Sequence, residues 1–366
     1  MNFSNFLNLN FFVIFIITLL TIIGVAAQYS AADGNLEPWA IKHGIRYIVL
    51  LFLMTFIALM NISFFYKHAY TIFFISLCLL LSVEIIGTFG KGAERWIRIF
   101  GVSIQPSEIV KIGIILSLAK YYHTIKFENI GHLFHLFIPL LIIFLPFLFV
   151  LIQPDLGTSI SILLLGAIIM FVSGVRIWKF ILASILIMVS IPFLWNYVIQ
   201  PYQKNRILSF LNPESDPLGQ GYQLIQSKIA LGSGSLVGKG FLKGTQAYLE
   251  YLPEKQTDFI FTLIGEEFGF LGTIFVLLLF FILILICFYI SVKSHHIFGR
   301  LISLGIASNL FIYILLNMSM VTGLMPVVGI PLPLISYGGT AMLSMMILFG
   351  LLLNMEINYN IKKFNN

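Results

Sequence analysis

The sequence predicts an all-α polytopic membrane protein with about ten transmembrane helices. Of its 366 residues, 59% are hydrophobic and only 10% are charged, whereas a soluble protein of this size needs far more charge to cover its surface. Apolar runs of about 20 residues recur along the chain, and each is long enough to cross the hydrocarbon core of a bilayer. Most polar loops between the runs are very short, so we expect one integral membrane domain over residues 1–366.

The apolar runs set the order of the predicted helices. The first run has no Lys or Arg before it, which favours a retained membrane helix over a signal peptide, although Val25-Ala26-Ala27 resembles a signal-peptidase site. The predicted spans are 9–29, 44–65, 69–89, 106–123, 133–153, 156–175, 178–199, 259–292, 300–320 and 339–358.

Three irregular segments interrupt this pattern. The longest, residues 200–258 between predicted helices 7 and 8, is polar and rich in Gly and Pro; the others cover 90–105 and 322–339. Loops of such length are usually functional. With an even number of spans the two termini lie on one side of the membrane and the three segments on the other.

The basic residues predict the orientation. Short loops carry nine Lys and Arg residues on the side of the termini and six on the other, which favours cytoplasmic termini and a large extracytoplasmic loop. The active face would then lie on the opposite side, in the periplasm or at the cell exterior. The net charge of +6 is scattered, with no basic stripe, which excludes a nucleic-acid partner and suits contact with anionic lipid headgroups.

The first polar motif spans Gly92–Ile97 and Gln105–Lys111. Glu108 and Lys111 are three residues apart and share a helix face. They form either an ion pair that holds the bundle together or the lining of a polar cavity, since charges at this depth need a partner or water. Arg95 has the planar fork that suits phosphate oxygens, while Trp96 is a substrate contact or an interfacial anchor.

Two further motifs lie in loops. In Gln153–Ser159, Asp155 is placed to cap the next helix. Five glycines between Gly232 and Gly244 form either an anion-binding loop, with Lys239 and Lys243 beside it, or a flexible connection. The spacing does not match a P-loop.

Asp258 stands where the long polar loop meets an apolar helix. It is either the N-cap of that helix or a general base, because a partly desolvated carboxylate has a pKa suited to proton abstraction. Glu266 and Glu267 follow two turns later, heading into the bilayer, so at least one of them needs a partner or a role.

The last motif covers 317–340 and contains Pro326, Pro331 and Pro333. Irregular backbone near membrane depth must be buried in protein or line a cavity. We interpret this segment as the wall of a pocket.

These motifs, in this order, resemble those of the SEDS family of cell-wall polymerases. The matching stretches read GAxRWI, QPSExxK, QPDLGTS, QSxIAxGSG, GKG, GTQ, LPExxTDFIF, GEExGFLG and PLPxISYGG, and they extend from about residue 44 to residue 357. The stretch 327–333 looks more like the elongation branch of the family than the division branch. Ser235 stands where many members have Gly, and Glu94 occupies a variable place.

The resemblance implies a peptidoglycan glycosyltransferase that polymerises lipid II, a disaccharide-pentapeptide on undecaprenyl pyrophosphate. The family's essential aspartate falls on Asp258, its functional Trp and basic residue fall on Trp96 and Arg95, and its helix pair falls on Glu108 and Lys111. The implied partners are a class B penicillin-binding protein, which crosslinks the glycan, and other membrane proteins of the elongation complex. No cofactor or metal site is required by the sequence; a divalent cation is left open.

Two alternatives remain at this point. A lipid II flippase also has intramembrane charges and proline-broken helices, but the polar motifs share one face and no inverted repeat is visible. A non-catalytic scaffold for a penicillin-binding protein would not need Asp258.

Overall fold

The computed structural model describes residues 9–86, 88–90, 93–99, 102–216, 219–245 and 254–359. Both chain termini lie outside these ranges, as do four motif residues: Gly92, Gln246, Leu252 and Pro253. In chain order the elements are α1 (Phe11–Ala31), α2 (Ala40–Leu59), α3 (Ile62–Ile86), β1 (Thr88–Gly90), β2 (Ala93–Ile99), β3 (Val102–Ile104), α4 (Pro106–Thr124), α5 (Leu133–Ile152), α6 (Leu156–Val172), α7 (Ile177–Phe193), α8 (Pro201–Leu211), α9 (Gln220–Ser233), α10 (Ile260–Lys293), α11 (Ile297–Thr322) and α12 (Gly339–Ile357).

Ten of these helices, α1–α7 and α10–α12, lie at the ten predicted spans. Within the described ranges, seven are long and apolar enough to cross a membrane by length and composition alone. The other three are α6 and α7, with 17 residues each, and α4, which carries buried charges. The prediction of a polytopic helical membrane protein is therefore confirmed.

The helices differ sharply in burial. Most residues of α11 and α12 are buried, so these two helices form the centre of the bundle. By contrast, α7 has no buried residue, and side chains such as Ile187 and Val189 are exposed. Exposed apolar side chains on a spanning helix face lipid, so α7 lies at the periphery.

The segment 90–105, predicted to be irregular, contributes to a small sheet that the all-α prediction did not include. The three strands β1, β2 and β3 form an antiparallel sheet in that order. Trp96 pairs with Thr88, and Ile97 pairs with Ile104. The aromatic and β-branched side chains Trp96, Ile97 and Ile99 favour a strand, a local signal that the helical pattern on both sides obscured.

The long segment between α7 and α10 is largely folded. It contains α8, a 3-10 turn at Pro213–Ser215 and α9. The Asp216 carboxylate joins these pieces, because it accepts hydrogen bonds from the Gln220 amide at 2.9 Å and the Ser209 hydroxyl at 3.1 Å. The Asp216 carboxylate therefore fastens α8 to the first residue of α9.

Candidate active site

Asp258 lies in a turn over residues 254–259 and is half-buried. The N-cap of α10 is Phe259, whose carbonyl oxygen accepts the first helical bonds from the amides of Thr262 and Leu263. Asp258 thus precedes the cap, and the N-cap interpretation of this residue is wrong.

The backbone around Asp258 is fixed from outside its own helix. The carbonyl oxygens of three successive residues each accept a hydrogen bond from α11 or from the proline-rich segment after it. These bonds are Tyr337 N to Gln256 O at 2.9 Å, Ser336 Oγ to Thr257 O at 2.6 Å, and Asn317 Nδ2 to Asp258 O at 3.0 Å. Such bonding over three residues holds the turn rigidly.

Asn317 joins this turn to the proline-rich segment. It is fully buried, and its amide also donates to the Ile330 carbonyl at 2.7 Å. Both bonds come from Nδ2, so one side chain sets the separation between Asp258 and residue 330. Sequence reasoning placed Asn317 in the last motif without a role, because nothing local indicates its partner at residue 258.

Gly329 forms the contact between Asp258 and the segment. A Cβ atom at this glycine would lie 3.3 Å from Asp258 Oδ2, and its φ of +71° is in the left-handed region that favours glycine. The predicted pocket-wall role of the segment is consistent with this geometry. Leu332, Leu334 and Ile335 are buried, as irregular backbone at membrane depth requires.

Gly329 also lines a small polar cavity. Its volume is ≈ 20 Å³, which is room for about one water molecule. The cavity lies where α4, α6 and α11 meet the proline-rich segment. It is lined by Gln105, Glu108, Lys111, Thr158, Ser161, Tyr313, Gly329, Ile330 and Pro331.

Glu108 and Lys111 form a buried ion pair at 2.8 Å in the wall of this cavity. Tyr313 closes the cluster: its hydroxyl accepts a hydrogen bond from Lys111 and donates one to Glu108. The Ser344 hydroxyl adds a hydrogen bond to Glu108 at 3.3 Å. The two predicted alternatives, an ion pair and a cavity lining, are therefore both present in one cluster.

Arg95 is bound to the loop at 153–155. Its guanidinium donates to the carbonyl oxygens of Gln153, at 3.2 Å, and Pro154, and lies 3.7 Å from the Asp155 carboxylate. Asp155 caps α6 as predicted, accepting from the Thr158 amide at 3.2 Å. The arginine side chain is 22% exposed, so part of it still reaches solvent. Trp96 follows on the same strand and is half-buried.

The glycine-rich loop packs against the start of α10. The Lys239 and Gly240 amides donate to the Glu266 and Glu267 carbonyl oxygens at 3.0 and 2.9 Å. Three further loop amides also have protein acceptors: Gly238 N donates to Gly234 O, Lys243 N to Gly240 O, and Leu242 N to the Glu267 carboxylate. The anion-binding interpretation is wrong for these amides, because they already donate to acceptors within the protein. The alternative of a flexible connection is wrong too, since these bonds hold the loop against α10.

Its glycines permit this close approach. A Cβ atom at Gly238, where φ is +85°, would overlap the carbonyl oxygen of Glu267, whereas one at Gly232 would meet nothing within 4 Å. Ser235 has a φ of +50°, which explains why a glycine suits its position.

The Gly238→Ala substitution should destabilise the protein by about 1–3 kcal/mol, since overpacking forces the loop away from α10. Gly232→Ala, on α9 in open space, should be neutral or stabilising by about 0.5–1 kcal/mol. Thermal unfolding of both variants in the same detergent measures the difference. Equal melting temperatures would show that the loop is not packed as described.

The two buried acids at the start of α10 have different partners. Glu266 is fully buried and pairs with Lys239 at 2.7 Å, and the Thr245 hydroxyl bonds to both. Glu267 accepts from the Ser30 hydroxyl and from the Leu242 amide. The expectation that at least one acid has a partner is confirmed. Lys243 is exposed on the loop.

Comparison with known proteins identifies the family. A family model described as FTSW_RODA_SPOVE, cell cycle protein, matches residues 5–361. The chain belongs to this family. The SEDS resemblance inferred from the motifs is thus confirmed over almost the whole chain.

Individual relatives of this SEDS protein agree. Peptidoglycan glycosyltransferase MrdB from Escherichia coli (strain K12) is 43% identical over 290 residues, covering 78% of this chain and 76% of MrdB. A chain in the structure of a peptidoglycan synthase complex that coordinates polymerization and crosslinking matches with a TM-score of 0.83 and 25% identity, covering 96% of this chain and 98% of that one. The rod shape determining protein RodA from Thermus thermophilus shares the fold, with a TM-score of 0.71 at 23% identity over 96% of this chain and 98% of RodA.

Proposed function

We propose that this SEDS protein is a peptidoglycan glycosyltransferase that polymerises lipid II into glycan strands during cell elongation. The observation that carries the proposal is the position of Asp258, a half-buried carboxylate fixed beside Gly329, a residue that also lines a polar cavity. A carboxylate at a boundary between water and the membrane interior suits general-base chemistry. The relatives named peptidoglycan glycosyltransferase support the choice of reaction.

Asp258 would take the proton from the 4-hydroxyl of the acceptor GlcNAc. The oxygen then attacks the anomeric carbon of the donor MurNAc, and the bond from that carbon to the pyrophosphate oxygen breaks. The configuration inverts from α to β, and undecaprenyl pyrophosphate leaves with the bonding electrons. The polyprenyl chain remains in the bilayer throughout.

The leaving pyrophosphate gains negative charge, and stabilising such charge is usually the largest contribution to catalysis. We assign Arg95, Lys111, Lys239 and Lys243 to this role, with Trp96 and Glu108 shaping the binding site. Lys243 is exposed, the side chains of Lys239 and Arg95 are 26% and 22% exposed, and Lys111 is buried. Lys111 and Lys239 have carboxylate partners within 3 Å, so they contribute a fixed field.

The protein is a multi-pass membrane protein, and we place its termini in the cytoplasm and Asp258 on the periplasmic side of the inner membrane. A class B penicillin-binding protein would crosslink the strands that it makes. The structural likeness to a chain of a synthase complex that coordinates polymerization and crosslinking supports such a partner.

A transport assay separates this function from a flippase. Vesicles would carry the purified protein, its penicillin-binding partner and fluorescent lipid II in both leaflets. We expect glycan strands to form without faster movement of lipid II between leaflets. Rapid movement of lipid II between leaflets without glycan strands would support the flippase. Glycan strands made by the penicillin-binding partner without this protein would support the scaffold.

Asn317→Ala should lower kcat about tenfold or more, because losing the bonds to Asp258 O and Ile330 O loosens the base by a fraction of an ångström. Asn354→Ala is the matched control, since its buried amide also donates to carbonyl oxygens, those of Ile57, Ala58 and Met60, in another part of the bundle. Both variants should lose similar thermal stability. If kcat falls equally in the two variants, Asn317 has only a structural role.

A further inference from the structure

An apolar surface lies where the glycine-rich loop meets α10. In the part of the chain that the structure describes, its six side chains are between 40% and 75% exposed. They are Leu236, Val237, Phe241, Phe268, Phe270 and Leu271, and we call them the loop surface. Two of the rings, those of Phe241 and Phe268, lie 6.0 Å apart between their centroids. An apolar patch of this kind marks a contact with another protein or with a membrane.

Backbone contacts fix the loop against a bend in α10. The amides of Phe270 and Leu271 donate to the carbonyl oxygens of Ser235, at 2.9 Å, and Leu236, at 3.1 Å. The bend is at Gly269, whose φ of +65° is not helical. A Cβ atom at this glycine would lie 2.7 Å from the carbonyl carbon of Leu236. The tip of the loop therefore has a fixed height along α10.

The charges of α10 place this bend at the membrane boundary. Glu266 and Glu267 precede the bend, and the next charged residue is Lys293 at the far end of the helix. The charge-free run between them is about 37 Å long at 1.5 Å per residue, whereas a hydrocarbon core is about 30 Å thick. The run fills the core, so residues 268–271 and the loop tip beside them lie close to its edge on the Asp258 side.

The loop surface continues the lipid-facing side of α10. Five apolar side chains recur every three or four residues along this helix and are between 48% and 61% exposed: Leu271, Phe275, Leu278, Phe281 and Leu285. This spacing puts side chains on one face of a helix, and the exposed apolar face of a spanning helix contacts lipid. Leu271 belongs both to this face and to the loop surface, so the two are continuous.

We propose that Leu236 and Val237, at the tip of the glycine-rich loop, insert into the lipid leaflet on the Asp258 side. Lipid is the occupant because the loop surface is continuous with a helix face that lipid covers and lies at the same edge of the hydrocarbon core. Lys243, exposed on the same loop, then lies at the level of the headgroups, where its charge meets anionic lipid. The proposal does not depend on the proposed function.

Spin labelling of the full-length protein in vesicles of phosphatidylethanolamine and phosphatidylglycerol tests the insertion. A nitroxide is attached to Val237→Cys in a Cys78→Ser background, because Cys78 is exposed and Cys287 is buried. Collisions with oxygen, which concentrates in lipid, are compared with collisions with a water-soluble nickel complex. The ratio of the two collision rates reports whether lipid or water surrounds the label.

Two reference positions calibrate this ratio. Phe275→Cys reports the lipid-facing side of α10, and Leu211→Cys reports the end of α8, where Asn212 and Glu214 are exposed as well. Leu211 matches Val237 in accessibility, since the two side chains are 71% and 75% exposed. We expect the oxygen-to-nickel ratio at Val237 to be several-fold above that at Leu211 and close to that at Phe275. Leu236→Cys, the other tip residue, should give the same result if the first labelled protein is unstable.

A ratio at Val237 equal to that at Leu211 would overturn the proposal, because the tip would then lie in water. If the penicillin-binding partner afterwards suppresses the nickel collisions, the loop surface belongs to that partner. Exclusion of both reagents from the label would indicate contact with a second copy of this chain and would overturn the proposal too. All of these results are obtained without lipid II, so they are independent of whether the protein polymerises it.

Discussion

The Asp258→Asn variant should polymerise lipid II about 10²–10⁴-fold more slowly than the wild type, the usual contribution of a general base. Asparagine has nearly the same shape, so the turn at 254–259 and its three carbonyl bonds from Tyr337, Ser336 and Asn317 should persist. It cannot accept the proton of the acceptor hydroxyl. Initial rates with purified lipid II and the partner protein measure the effect.

Glu128→Gln is the control for this experiment. Glu128 is an exposed carboxylate in the loop between α4 and α5, distant in sequence from Asp258. Surface substitutions of this kind change stability by about 0.5 kcal/mol or less, so the rate should stay near that of the wild type. If both variants slow the reaction equally, the effect comes from general charge loss and Asp258 is not the base.

Lys111→Met should destabilise the protein by about 3–5 kcal/mol, because it leaves the buried Glu108 carboxylate without its cation. Both side chains are at most 5% exposed, and Tyr313 hydrogen bonds to both. The adjoining ≈ 20 Å³ cavity has room for about one water molecule, which does not replace the lost positive charge. The cluster lines the cavity beside Gly329, so polymerisation should fall together with the melting temperature.

The double variant Glu108→Gln with Lys111→Met tests the reason for this loss. It removes both charges, so it should recover much of the stability lost by Lys111→Met alone. Lys239→Met is a useful comparison, because it also leaves a fully buried carboxylate, that of Glu266, without its cation, so it should be strongly destabilising too. A double variant no more stable than the single one would mean that packing, not charge, explains the effect.

The spans were predictable from sequence because burial in lipid demands long apolar runs, and these runs remain visible whatever the tertiary packing. The cap at Asp155 was predictable for a similar reason, since its partner Thr158 is three residues away. Local physics of this kind needs no knowledge of distant contacts. The sheet at residues 88–104 was missed because its strands are only three to seven residues long.

The long-range contacts of the site were not predictable in this way. Asn317 and Asp258 are 59 residues apart, and Tyr313 and Lys111 are 202 apart. The glycine-rich loop suggested an anion site because glycine exposes backbone amides, yet these glycines serve close packing on α10. Composition alone does not separate the two uses. Only the family resemblance pointed to Asp258 over the other carboxylates.

The most direct test of the central claim is gel analysis of the glycan made by this protein with its class B partner from labelled lipid II. The partner's crosslinking activity is blocked by a β-lactam, so any polymer comes from glycosyl transfer. We predict a ladder of glycan strands with the wild type and none with Asp258→Asn when the two reactions contain equal amounts of folded protein. Equal ladders from both proteins, or no ladder from the wild type, would contradict the account.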